Sequence, residues 1–378
     1  MLATHVGGVG LLERRRTRSC RSRTNAIPMK PLRHRATLAA IVLALVGLAS
    51  TNAPAVTVDM VTVGNPGNVG RTHNYGSFGG SLTFGAVNRS YRIGKHEVTI
   101  SEYAAFLNAV AATDTYSLYN AGMASDGNTA GIQQNGTSGS YTYNVIGSGT
   151  RPITYVSWFD AARFANWMHN GQGAGGTETG AYTLGGATSG DAVARNRGAT
   201  FCIPTEDEWF KAAYYSPLLN SGSGGYYAYA TQFDDAPGNH IIAGALNQAN
   251  YAPGGVYSVT QTSSYSSNQN YLTNVGAFTG SSSFYGTFDQ SGNVSEWNDL
   301  TGAAGPARGL RGGDWNDTGS PFGVSFTSRG PAAPAVEFND VGFRLASPVP
   351  EIDPAGMGSV LALIGAGLGL LERRRQRG

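Results

Sequence analysis

Charged residues are scarce in this chain of 378 residues, where Asp, Glu, Lys and Arg make up only 13%, about half of the usual ~25%. So low a content excludes a surface built on ion-pair networks. The two ends hold much of the positive charge, which leaves 13 basic and 20 acidic residues in 56–350, a net charge near −7. We therefore expect no nucleic-acid binding, because phosphate backbones attract clustered Lys and Arg.

Cysteine is rarer still, with only Cys20 and Cys202 in the chain. If the segment that contains Cys20 is removed on export, Cys202 is left alone. That excludes an internal disulfide and any chemistry that needs two thiols in the mature chain. Histidine gives no metal-binding pattern either, because no H-x3-H spacing occurs. The histidines of the interior are scattered: His73, His96, His169 and His240.

Glycine, in contrast, is abundant, with 54 residues, roughly twice the average share of ~7%. No G-X-Y period accompanies it, which excludes collagen, and the surplus indicates long surface loops. The polar tracts at 113–150, 170–200 and 218–286 fit this interpretation, and loops of such length are typical of functional or irregular architectures. Because 41% of the residues are hydrophobic, a sizeable core is still expected. The sequence predicts one loop-rich α+β domain over residues 56–346.

Three short helices are predicted from capping boxes, in which a Ser or Thr hydroxyl precedes an acidic residue by three positions. The boxes are Thr99–Glu102, Ser157–Asp160 and Thr205–Glu208, each followed by apolar residues at helical spacing. Strand candidates are few: residues 57–63, 91–93 and 325–326. Trp158, Trp209 and Trp297 are expected to anchor the core.

The N-terminal residues are interpreted as a targeting segment rather than as part of the folded domain. Residues 29–55 have a positive start, a short apolar run from Ala36 to Ala49 and an A-x-A site at 53–55, which is typical of a secretory signal peptide. An anchor that is never cleaved is the alternative. Residues 1–28 are rich in Arg without an apolar period, so we interpret them as an extension with no folding role and Met29 as the better start.

The C-terminal residues 347–378 form a linker, an apolar stretch of 17 residues from Ala355 to Leu371, and an arginine cluster at 373–375. This arrangement favours transient membrane anchoring with the arginines inside. It resembles the bacterial PEP-CTERM sorting signal, although Ile352 replaces the second proline of that motif. The resemblance implies an exosortase-type processing enzyme as a partner and delivery to the bacterial cell envelope or extracellular matrix. A plain tail anchor is the alternative.

Seven motifs in order resemble the sulfatase-modifying factor family, the formylglycine-generating enzyme domain. They extend from residues 91–99 through Val156-Ser157-Trp158, residues 202–209, Asn250-Tyr251, residues 289–297 and residues 311–315 to residues 342–344. The resemblance implies a loop-rich variant of the C-type lectin fold. It also implies a structural calcium ion, held by the side chains of Asp289 and Glu296 and the carbonyls of Gly292 and Val294. An ion-free turn is the alternative. Arg311, Arg329 and Arg344 are expected to brace loops, or otherwise to line a cleft.

The same family oxidises a substrate cysteine with a copper(I) ion held by two cysteines, which follow the R-G-G-S-[FW] motif. The aligned positions here are Asp317 and Phe322, and neither can form a thiolate, so copper is not expected. We therefore predict a non-catalytic binding or matrix module, with extracellular polysaccharide or a surface protein as its partner. The alternatives are a formylglycine-generating or related oxidase that modifies secreted proteins such as sulfatases, and a structural surface protein without a specific ligand.

Overall fold

The computed structural model describes residues 55–75 and 80–349, and the predictions for the signal peptide up to residue 54 and for the tail from residue 350 lie outside the described residues. Short elements alternate with long loops along the chain. The strands are β1 Met60–Val63, β2 Arg71–Asn74, β3 Ser81–Phe84, β4 Tyr91–Gly94, β5 Ile132–Asn135, β6 Thr142–Val145, β7 Tyr215–Ser216, β8 Gly225–Tyr226, β9 Ser295–Asn298, β10 Arg308–Arg311, β11 Gly330–Ala332, β12 Val341–Gly342 and β13 Ala346–Pro348. The helices are α1 Ile100–Val110, α2 Gly122–Ser125, α3 Trp158–His169, α4 Glu206–Tyr214 and α5 Leu219–Gly222, with 3₁₀ turns at Pro253–Gly255 and Pro321–Val324.

The strands form small sheets rather than one extended sheet. β1, β4 and β13 make an antiparallel sheet, and a second sheet has the order β11-β10-β9-β12, in which β12 runs parallel to β9. Three hairpins, β2-β3, β5-β6 and β7-β8, complete the pairing. This combination of small sheets, short helices and long loops confirms the predicted α+β fold class.

Each of the three capping boxes begins a helix, as predicted. In the first, the Thr99 hydroxyl accepts from the Glu102 backbone N–H, and the Glu102 carboxylate accepts from the Thr99 N–H at 2.7 Å. Ser157 and Thr205 act in the same way at the start of α3 and α4. These caps satisfy backbone donors that a helix cannot satisfy by itself, so local sequence fixes where the helices start.

The strand predictions are only partly correct. Residues 91–93 lie in β4, but pairing in the segment 57–63 begins only at Met60. The prediction of a strand at 325–326 is wrong, because these residues follow the 3₁₀ turn Pro321–Val324. The Ser320 hydroxyl caps that turn by accepting from the Phe322 N–H at 3.3 Å, and the Ser325 hydroxyl donates back to the Phe322 carbonyl at 2.9 Å.

The main core lies between α1 and α3. Tyr103 stacks on Phe164 with ring centroids 6.1 Å apart, and Phe106 contacts Trp167 at 5.4 Å. The predicted anchors Trp158, Trp209 and Trp297 are fully buried, which confirms that prediction, and each indole N–H has an acceptor. Across residues 55–75 and 80–349 we find no helix with the length and apolar character that a membrane crossing requires.

Candidate functional site

A tight turn follows β10 and shapes the surface where the resemblance places the catalytic centre. Gly312 and Gly313 both have positive φ, +102° and +71°, a region that favours glycine. At Gly313, a Cβ atom would lie 2.4 Å from the Asp317 carboxylate and 2.4 Å from the Gly323 carbonyl oxygen. The backbone at Gly313 can therefore approach Asp317 and Gly323 this closely only because glycine has no side chain.

The position of the first family cysteine is filled by Asp317, whose carboxylate packs against Gly313 and Gly323. It accepts a hydrogen bond from the Asp314 N–H at 3.1 Å, while its own carbonyl accepts from the Ala252 N–H at 3.1 Å. Asp317 thus closes the turn. The second position, Phe322, is 67% exposed.

Three carboxylates influence one another here: Asp314, Asp317 and Asp340. The pKa of Asp314 is raised to about 8, first by burial and then by the negative charges of Asp317 and Asp340. Burial also raises the pKa of Asp317 and of Asp340. No Lys or Arg among the described residues forms an ion pair with these three groups. This raised pKa favours the protonated form of Asp314 at neutral pH, and that form has a hydroxyl donor.

An aromatic stack adjoins these carboxylates through Trp315. The Trp315 ring lies parallel to Tyr271, with centroids 5.1 Å apart and an interplanar angle of 3°. Tyr271 also stacks on Tyr265 at 6.0 Å and contacts Tyr257 at 4.4 Å. Tyr265 is the outermost ring and is 56% exposed. We call the three carboxylates together with this stack the Asp314 face.

The outer ring of the stack is held in place by hydrogen bonds. The Tyr265 hydroxyl donates to the Asn128 side-chain oxygen, and the Asn128 amide donates to the carbonyls of Ser266 and Gln269 at 2.8 and 2.9 Å. The indole N–H of Trp315 is buried and has no partner in the described part of the chain. Asp314 accepts from the Asn316 N–H at 2.8 Å and Asp317 accepts from the Asp314 N–H at 3.1 Å. The face therefore combines a rigid aromatic platform with polar groups whose bonding capacity is only partly used internally.

In the turn predicted to bind calcium, residues 289–296, the Glu296 carboxylate has partners that the sequence did not predict. Both oxygens of Glu296 accept from the Arg344 guanidinium at 2.6 Å, and the Trp209 indole N–H donates to one of them at 2.8 Å. A guanidinium therefore neutralises this buried carboxylate, so Glu296 does not fit the role of a calcium ligand. In residues 55–75 and 80–349, no group of three or more His, Cys, Asp or Glu is placed to hold a metal ion. Calcium at Asp289, Gly292 and Val294 stays a prediction.

Sequence reasoning missed the carboxylate that does lie beside Asp289, namely Glu97. It is buried, one of its oxygens accepts from the Asn293 amide at 3.0 Å, and its carboxyl group hydrogen-bonds with that of Asp289. Burial and the charge of Asp289 raise the pKa of Glu97 well above its usual range, and burial raises that of Asp289 to about 6. The available signal is the motif Glu97-Val98-Thr99, of which only the cap Thr99 has a role predicted from the sequence.

The remaining predicted arginines hold loops through carboxylates and carbonyls. Arg311 donates to Glu206 at 2.8 Å and to the Phe326 and Ser328 carbonyls. Arg329 donates two hydrogen bonds to the same Glu206 carboxylate, at 2.7 and 3.1 Å. This joins the start of α4 to the segment after the Asp314 face, which gives the face a rigid base.

The residues at the cysteine positions do not fit the family's copper site. Copper(I) is held by soft thiolates, whereas an aspartate and a phenylalanine stand at positions 317 and 322. Cys202 is the cysteine of the described region, and it is buried under β13, where burial raises the pKa of its thiol to about 12. It is therefore a neutral packing residue at physiological pH.

Comparison with known proteins identifies the family. Residues 50–349 match the family described as the sulfatase-modifying factor enzyme 1-like domain. Since this match spans most of the chain, the chain belongs to that family, and the resemblance drawn from the seven motifs is confirmed. No curated protein matches the chain significantly.

Several solved structures are similar to this chain. One is the crystal structure of CarF, with 22% identity, a TM-score of 0.44 and coverage of 78% of this chain and 99% of that one. Another is Treponema denticola variable protein 1, with 22% identity, a TM-score of 0.42 and coverage of 77% and 95%. A third is PvdO from Pseudomonas aeruginosa, with 20% identity, a TM-score of 0.39 and coverage of 77% and 92%.

Proposed function

We propose that this chain is an exported, surface-sorted binding module of the family, and that its Asp314 face binds an extracellular polysaccharide. The observation that carries the proposal is the replacement of both catalytic cysteine positions by Asp317 and Phe322. Asp317 contacts two glycines and accepts from the Asp314 N–H, which supports a structural role for this position.

The chemistry of the face supports a sugar ligand. Tyr265 presents an exposed ring whose position is fixed by Asn128, so a ligand can pack on it at little cost in side-chain entropy. Asp314 in its protonated form offers a donor, and Asp317 and Asp340 offer acceptors, which complement hydroxyl groups. A rigid apolar platform flanked by a few polar groups is typical of sites for small polar ligands.

Export and sorting belong to the same proposal. The signal peptide at 29–55 and the PEP-CTERM-type tail at 347–378 would deliver the domain to the bacterial cell envelope or matrix, where polysaccharide is present. A structural calcium ion is proposed as well, with the side chain of Asp289 and the carbonyls of Gly292 and Val294 as ligands.

The test combines binding with an assay for the family's reaction. The purified chain is run through native gels that contain dextran, cellulose derivatives or pectin, and retardation is measured. We expect retardation in at least one gel and a weaker effect for Tyr265→Ala. The matched control is Leu218→Ala, which removes another exposed apolar side chain.

The same preparation is incubated with copper and a peptide containing C-x-P-x-R, and aldehyde formation is followed by mass spectrometry. We expect none. Turnover of the peptide would contradict the non-catalytic part of the proposal, and equal retardation of wild type and Tyr265→Ala would contradict the assignment of binding to the Asp314 face.

A further inference from the structure

A second surface, separate from the Asp314 face, is a groove of about 1110 Å³ between the start of α4, the loop at 195–199 and the end of β13. Three arginines line it, Arg89, Arg195 and Arg197, together with the amides of Asn88 and Asn196. Its volume exceeds the ~300–1,000 Å³ of pockets that enclose small ligands. A groove of this size fits a segment of a polymer better than a single small molecule.

The charge of this groove is opposite to that of the domain. Residues 56–350 have a net charge near −7, yet the groove lining contains three guanidinium groups and one carboxylate, Glu208. One oxygen of Glu208 pairs with Arg89, and the other accepts from the Thr205 N–H at 2.7 Å and lies 3.3 Å from Arg195. Arg197 is exposed and forms no hydrogen bond or ion pair with any described residue. Net positive charge is therefore concentrated here.

The loop that carries two of these arginines is fixed before any ligand arrives. The Asn196 N–H donates to the Ala181 carbonyl at 2.8 Å, and its amide donates to Gly180 and Thr183 at 3.0 Å each. The Arg195 guanidinium donates to the Cys202 sulfur at 2.8 Å. Since Cys202 remains a neutral thiol at physiological pH, it adds no negative charge to the groove.

We propose that this groove binds a polymer of carboxylated sugars, a polyuronate. The planar guanidinium fork matches the carboxylate in a bidentate geometry. The amide of Asn88 and the hydroxyl of Ser90 suit sugar hydroxyl groups. The proposal goes beyond the function assigned to the Asp314 face, because the two surfaces share no residue and either one can fail alone.

The experiment uses one sugar backbone in two charge states. Titration calorimetry of the purified chain compares oligogalacturonate with the same oligomer after full methyl esterification, which removes the carboxylates and keeps the ring hydroxyls. We expect binding of the free acid, at least about tenfold weaker binding of the ester, and affinity that falls as salt rises. Equal affinity for acid and ester would overturn the proposal.

Arg197→Gln is the main variant, because Arg197 supports no other described residue and its replacement leaves the fold intact. We expect about threefold or larger loss of affinity for oligogalacturonate. Lys95→Gln is the matched control: it removes one positive charge, and its 3.6 Å ion pair with Asp59 lies outside the groove. Equal losses in both variants would show that only overall charge matters, which would overturn the site.

Two further measurements distinguish uronate binding in the groove from general anion binding and from binding at the Asp314 face. Polyphosphate of matched charge tests whether any anion suffices, and affinity equal to that of oligogalacturonate would overturn the assignment to sugar carboxylates. Tyr265→Ala is expected to bind oligogalacturonate in the groove with unchanged affinity. A loss as large as that of Arg197→Gln would place uronate binding on the Asp314 face and overturn the groove.

Discussion

Two turns of this domain contain acidic residues, and they differ in whether a cation pairs with the carboxylates. In the turn from Asp289 to Glu296, the carboxylate of Glu296 is fully buried and its charge is matched by Arg344. In the turn from Asp314 to Phe322, the carboxylates face one another without a cation. The Glu296 carboxylate is typical of scaffold, because its bonding capacity is used up by Arg344 and Trp209. The second turn keeps unmatched polar groups at the surface, which is typical of a binding site.

The largest effect on stability is expected at the ion pair between Arg344 and Glu296. Arg344→Met leaves Glu296 buried without its cation, and we expect a loss of about 3–5 kcal/mol in the free energy of unfolding. Urea denaturation followed by tryptophan fluorescence measures it. Adding Glu296→Gln should recover much of the loss, because the amide keeps an acceptor for Trp209 and removes the buried charge.

Arg329→Met is the control for that measurement. Arg329 is 22% exposed, and its partner Glu206 keeps Arg311, so a loss of about 1 kcal/mol or less is expected. Similar losses for Arg344→Met and Arg329→Met would contradict the view that the Glu296 pair is the scaffold's charged centre.

An intermediate effect is expected at the second turn itself. Gly313→Ala places a methyl group 2.4 Å from both Asp317 and the Gly323 carbonyl, at a φ of +71°. We expect destabilisation of about 1–3 kcal/mol, measured by thermal unfolding. Gly319→Ala is the control, since its φ is not positive and no atom lies within 4 Å of the added Cβ. Equal behaviour of the two variants would mean that Asp317 is not held in the turn as described.

A pH dependence of stability is expected at the Asp314 face. Its folded-state pKa of about 8 lies above the ordinary value of 3.8. Between these values the folded state binds the proton more than the unfolded state does, so stability from this group is present at low pH and is lost as pH rises toward 8. Asp314→Asn should reduce the fall in melting temperature between pH 5 and pH 8.5. An unchanged slope would show that Asp314 is ionised throughout.

Local signals in the sequence were sufficient for the helices but not for the strands. Each capping box works through residues three positions apart, so Thr99, Ser157 and Thr205 mark helix starts without help from the rest of the fold. A strand of two to four residues is defined by its partner instead. Ser325 and Phe326 have a strand-like composition, but no strand of the described residues pairs with them. They directly follow the capped 3₁₀ turn Pro321–Val324 instead.

Sequence motifs named two residues of the candidate site but did not predict its chemistry. The motif order placed Asp317 and Phe322 where the family has its thiols, and the absence of cysteine there was readable at once. The coupling of Asp314 with Asp340 was not, and neither was the stack of Trp315 on Tyr271. These partners are 26 and 44 positions apart in the sequence, so no periodic pattern joins them.

The sequence by itself determined the family, the helix starts and the absence of cysteine at positions 317 and 322, because motif order, local capping and residue identity are properties of a linear chain. Only the tertiary structure decided which charges meet. It paired Glu296 with Arg344, and it brought Arg89, Arg195 and Arg197 together around one groove. The physical reason is that Coulomb energy and desolvation depend on distance in space and on burial, which folding sets through contacts between residues remote in sequence.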